Sequence, residues 1–108
     1  MRRTLSGLVL LAVAAALSQP AFAADVANGE KLAKRWCAAC HVVAADQKNG
    51  NTQVAPFSAI AKRPNFDAAM LALYLLTPHP KMPDMNLTRA EIDDVSAYLE
   101  TFLSSKAQ

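Results

Sequence analysis

Beyond Cys37 and Cys40 the 108-residue chain has no cysteine, so no disulfide framework can hold it together. A bridge between those two would close almost no loop and would constrain the unfolded chain very little. Long apolar runs are missing as well. The run from Leu8 to Leu17 covers ten residues, where a membrane-spanning helix needs about 20. There is no internal repeat, no low-complexity tract, and no convincing strand before Cys37. Histidine is scarce: a zinc site around the two cysteines needs two more good ligands near them, and only His41 and His79 are available.

The apolar run has a different reading. Arg2 and Arg3 precede it, and Ala21-Phe22-Ala23 follows it as a small-x-small cleavage site. That order is a secretory signal, so residues 1–23 are expected to be removed and the mature domain to be residues 24–108. An uncleaved anchor is the alternative. The arginine pair fits a twin-arginine signal poorly, given Thr4 and Leu5. Removal also cancels the excess of positive charge. The whole chain carries 11 Lys+Arg against 9 Asp+Glu, and the two departing arginines leave nine of each. A balanced domain offers no basic surface for nucleic acid or anionic lipid. At 85 residues it lies where a side-chain core alone gives marginal stability and a staple is usual.

What the sequence does contain is Cys37-Ala38-Ala39-Cys40-His41. Two thiols three positions apart, followed at once by an imidazole, form the attachment signature of haem c. Cys37 and Cys40 can each add to a vinyl group, and His41 is then placed beneath the iron as proximal ligand. Such a pair can also serve as a redox dithiol, but that use expects a βαβ context that this chain does not provide.

The rest of the mature chain is patterned for helices and turns, an all-α domain. Asp25 is an N-cap for a first helix running toward Cys37, with Gly29, Leu32, Ala33 and Trp36 on one face. A glycine on an apolar face costs about 1 kcal/mol against alanine and implies that another backbone passes close by. A turn at Asn28-Gly29 with a later helix start is the competing reading. From His41 to Pro64 the pattern loses its period, with at most a short helix from Phe57 to Lys62. Phe66 to Leu76 is apolar on nearly every side, with Asn65 to cap it and Pro78 to stop it. Such a helix must be buried around most of its circumference, and a haem face is the expected extra surface. Met70 reads as part of that helix's core. Thr88 and Glu91 form a capping box, opening a last helix that runs through Ile92, Val95, Tyr98, Leu99 and Phe102 to Ser104 or Ser105.

Between the last two helices, Thr77 to Leu87 holds three prolines and three possible iron ligands, His79, Met82 and Met85. At this point the mature region resembles the small class I c-type cytochromes. The matching residues are Gly29 and Trp36, the pentapeptide Cys37–His41, Met82-Pro83, and Leu87-Thr88 with Ile92 and Ala97-Tyr98-Leu99. The resemblance implies a cytochrome c fold, with three to four short helices wrapped around one covalently bound haem c. It implies that the first and last helices cross near Gly29 and Tyr98. It implies Met82 as the distal ligand, a soft neutral thioether that raises the reduction potential. His79 is then a loop residue. It also implies a carbonyl beside a proline that accepts the second imidazole proton of His41, for which Ala55 before Pro56, or a neighbour of it, is the candidate, a weak echo of the family's pattern.

The implied function is non-enzymatic: a periplasmic single-electron carrier with His/Met axial ligation, serving redox partner proteins as a monomer, without membrane insertion of the mature chain. Lys31, Lys34, Arg35, Lys62, Arg63 and Lys81 are candidates for a docking surface, or else ordinary solvated charges. Two alternatives remain. One is a haem protein whose labile distal bond admits a small gas or peroxide; the other is a cytochrome subunit of a larger redox complex.

Overall fold

The computed structural model describes residues 23–77 and 82–104. The signal-like segment up to residue 22, together with His79 and Lys81, lies outside them. Among the described residues there are four helices and no strand: α1 (Val26–Trp36), α2 (Phe57–Ala61), α3 (Ala68–Leu76) and α4 (Arg89–Ser104).

Local chemistry sets both ends of the pattern. Asp25 adopts an extended backbone and its carboxylate accepts the Asn28 N–H at 3.0 Å, satisfying an orphan donor of the first turn. The helix therefore runs unbroken through Asn28-Gly29. At α4 the capping box closes reciprocally. The Glu91 carboxylate accepts the Thr88 N–H at 2.8 Å, and the Thr88 hydroxyl accepts the Glu91 N–H at 3.2 Å.

These two helices cross backbone to backbone. A Cβ added at Gly29 would overlap the Asp94 carbonyl group and lie 3.0 Å from Tyr98 Cβ. Asp94 also ties the crossing together with its side chain, accepting the Asp25 N–H at 2.7 Å and the Asn28 amide at 2.8 Å. The crossing at Gly29 and Tyr98 is the one expected. Around it lies the core: Ala33 of α1, Val43, Phe57 and Ala61 at α2, Leu71 and Ala72 of α3, and Ile92, Val95, Tyr98 and Leu99 of α4. Phe57, Tyr98 and Phe102 form an aromatic cluster with centroid separations of 5.5–6.5 Å. Tyr98 reaches further, its hydroxyl donating to the Val43 carbonyl.

The third helix departs from expectation twice. Its cap is Asp67, whose carboxylate accepts the Met70 N–H at 2.7 Å. Asn65 takes a left-handed backbone, φ 61°, within a turn in which the Phe66 N–H donates to the Arg63 carbonyl at 3.2 Å. That turn uses up Asn65 and Phe66, and the helix begins at Ala68. Moreover, α3 buries only Leu71 and Ala72, while Leu73, Tyr74 and Leu76 are 71, 56 and 61% exposed. Four short helices lack the apolar area to surround it.

Two predictions follow from the crossing. Gly29→Ala gains about 1 kcal/mol of helix propensity but drives a methyl into a helix backbone, which cannot swing aside as a side chain can. Overpacking of this kind costs about 1–3 kcal/mol or more. A net loss of about 2 kcal/mol should lower Tm by about 10 °C in a domain this size, read by thermal unfolding of the holoprotein. Tyr98→Phe leaves the buried Val43 carbonyl without its donor and should cost about 1–3 kcal/mol. Burial, with Glu30 nearby, holds the Tyr98 phenol above its ordinary value of 10. Its contribution is therefore complete below about pH 10 and lost as pH rises through the elevated folded value. Denaturant titrations at increasing alkaline pH should show this loss in the wild type and less of it in Tyr98→Phe.

Candidate functional site

The pentapeptide begins where α1 ends. The N–H groups of Cys37 and Ala38 both donate to the Ala33 carbonyl, at 2.8 and 3.1 Å, and those of Cys40 and His41 both donate to the Cys37 carbonyl, at 3.1 and 2.8 Å. One tight turn thus presents both thiols and the imidazole together. The thiols are unbridged; Cys40 is exposed and Cys37 half-buried. Burial pushes the Cys37 thiol up to about 11, so at neutral pH it is protonated. A redox dithiol works through a thiolate of lowered pKa, and Cys37 is shifted the other way.

His41 is held from its far side. Its Nδ1 lies 2.6 Å from the Ala55 carbonyl oxygen. A carbonyl can only accept, so Nδ1 carries the proton and the Nε2 lone pair is left for a metal. The family resemblance implied a carbonyl beside a proline, with Ala55 or a neighbour as the candidate, and the structure places Ala55 there. Pro56 starts α2, and the next residue turns back: the Phe57 N–H donates to the Val42 carbonyl at 3.0 Å, while the Phe57 ring packs 5.9 Å from the imidazole.

Gln47 escaped the sequence reading. Its Oε1 accepts the Val43 N–H at 2.9 Å, and its Nε2 donates toward the carbonyls of His41, Ala38 and Asn49 at 2.8, 3.1 and 2.5 Å. The side-chain orientation is fixed by these partners, because an N–H needs the oxygen and carbonyls need the nitrogen. A lone glutamine in a polar loop carries no sequence signal of this role.

Met82 and Met85 are both half-buried in the segment leading to α4. There the Asp84 carboxylate accepts the Asn86 N–H at 2.9 Å, and Asn86 takes a left-handed backbone, φ 51°. Among the candidate docking cations, Lys31, Lys34, Arg35, Lys62 and Arg63 are exposed. Lys34 pairs with Glu30 at 2.6 Å, and the Arg35 guanidinium lies 4.8 Å from the Trp36 ring centroid.

These residues fit haem c. Two unbridged thiols share a turn with an imidazole whose outer nitrogen is already engaged. Elsewhere, Leu73 and Leu76 of α3 leave apolar surface exposed.

Comparison with known proteins agrees. The Cytochrome c family model matches residues 26–102, from the first residue of α1 almost to the end of α4. The chain is 46% identical over 99 residues to cytochrome c-552 of Bradyrhizobium diazoefficiens, a match covering 92% of this chain and 95% of that protein. No solved structure matches it. The family match extends over all four helices and the turn between them that carries the thiols: the chain belongs to the cytochrome c family, whose cofactor is covalently bound haem c.

Proposed function

We propose that the protein is an exported, periplasmic single-electron carrier whose iron is held between His41 and Met82. The observation that carries this reading is the 2.6 Å approach of His41 Nδ1 to the Ala55 carbonyl, which commits Nε2 to the metal side. When bound, haem c supplies the one-electron ferric/ferrous couple. Cys37 and Cys40 tether it through thioether bonds, each S–H adding across one vinyl group with nothing else consumed. The Ala55 carbonyl fixes the imidazole tautomer and makes His41 a more basic ligand. The Met82 thioether favours ferrous iron and raises the potential. With His41 and Met82 both holding the iron, no place would be left for substrate, and the role is electron transfer to redox partner proteins. His79 is not an iron ligand in this reading, and the mature chain, residues 24–108, works as a monomer outside the membrane.

Spectra of the exported holoprotein test the ligand assignment. Met82→Ala should abolish the ferric methionine–iron charge-transfer band and let ferrous iron bind carbon monoxide, while Met85→Ala keeps the band. Persistence of the band in Met82→Ala would move the ligand elsewhere, and rapid carbon monoxide binding by the wild type would sink the electron-carrier reading. The export proposal is checked by intact mass: a chain starting at Ala24 plus one haem is expected, whereas retention of residues 1–23 would mean an anchored protein.

A further inference from the structure

Four backbone groups of one short loop converge on a single side chain, and that loop carries His41. Gln47 accepts from the Val43 N–H and donates toward the carbonyls of Ala38, His41 and Asn49. Ala38 lies between the two cysteines, His41 is the imidazole residue itself, and Val43 is fully buried. The opposite side of the same strip is held separately. The Cys40 carbonyl accepts the Asn51 N–H at 2.9 Å, the Val42 carbonyl accepts the Phe57 N–H at 3.0 Å, and the His41 ring is bonded to Ala55. Residues 38–43 are therefore gripped between Gln47 and the 51–57 segment, with the Tyr98 hydroxyl holding the Val43 carbonyl besides, and all the Gln47 contacts depend on one amide group.

We infer that Gln47 is a positioning residue for the proximal ligand. By holding the main chain on both sides of His41, it sets where the imidazole ring stands and keeps the Nδ1 proton aimed at the Ala55 carbonyl. The inference rests on the haem reading above. Glycine or alanine cannot substitute, because the role needs one acceptor and two donors on the same group, at a reach that spans from Ala38 to Val43. Glutamate matches the shape but has no N–H, and when ionised it sets a negative oxygen against three carbonyls. Methionine matches the length and has no strong donor or acceptor.

Gln47→Glu and Gln47→Met, purified as holoprotein, should show altered haem-methyl contact shifts in the ferric NMR spectrum, the signature of a rotated histidine plane. A loosened Nδ1–Ala55 bond makes His41 less basic, so ferrous iron gains. The ferric-to-ferrous ratio at fixed potential should fall about tenfold, which is about 59 mV for one electron. Asp46→Asn, one residue away, is the control and should match the wild type in both readouts. If the Gln47 variants accumulate without attached haem while the control matures normally, the positioning role is supported at the attachment stage. Contact shifts and potential equal to wild type, with normal haem content, would overturn it. Wild-type protein lacking covalent haem would instead defeat the haem reading itself.

Discussion

The fold depends on one steric allowance: at Gly29 the α1 backbone rests against the carbonyl of Asp94 on α4. No side chain fits between them. The contact brings Tyr98 across the interface, where its hydroxyl meets the Val43 carbonyl, and so fixes the loop beyond the pentapeptide relative to the far helix. Because α1 ends at Trp36, its direction also decides where Cys37, Cys40 and His41 emerge. A contact between two helices thus places a chemical site at the end of one of them.

The second constraint is shortage of apolar cover. The other helices bury one stripe of α3, through Leu71 and Ala72, but leave Leu73 and Leu76 exposed. A sequence apolar on all sides of a helix reads as deeply buried, yet here Leu73 and Leu76 face outward in the polypeptide alone. A covalently bound haem adds apolar surface that the polypeptide by itself does not supply. For a chain this small a covalently held apolar plate is structural material as well as a redox centre.

What the sequence made legible was whatever is encoded within a few residues. The Asp25 cap, the Thr88–Glu91 box, the helix spans of α1 and α4 and the thiol–thiol–imidazole run all depend on spacings of three or four. Gly29 showed that another backbone must come near, and the family resemblance named Tyr98 as its neighbour. Where local signals competed, the reading slipped: Asn65 and Asp67 are both good caps, and only the turn at Arg63–Phe66 decides that Asn65 is already used. Gln47 was invisible for a different reason. Its four partners lie two to nine residues away in the chain, at no repeating interval, and are backbone groups that any sequence would supply.

Gln47 and Ala55 show how the site divides its labour. The pentapeptide supplies the atoms that bond to the cofactor, and nothing within it determines the direction of the imidazole. That direction comes from two loop segments which contribute almost no ligand chemistry: a glutamine that holds main-chain groups on one side, and a carbonyl on the other whose position follows from Pro56 opening α2. A ligand's identity can be encoded by five adjacent residues, but its orientation needs anchors on more than one side, and these must come from elsewhere in the chain. In a protein whose task is to change iron's oxidation state while its ligands stay still, the anchors matter to function as directly as the ligands, because any freedom left to the imidazole becomes reorganisation that each electron transfer must overcome.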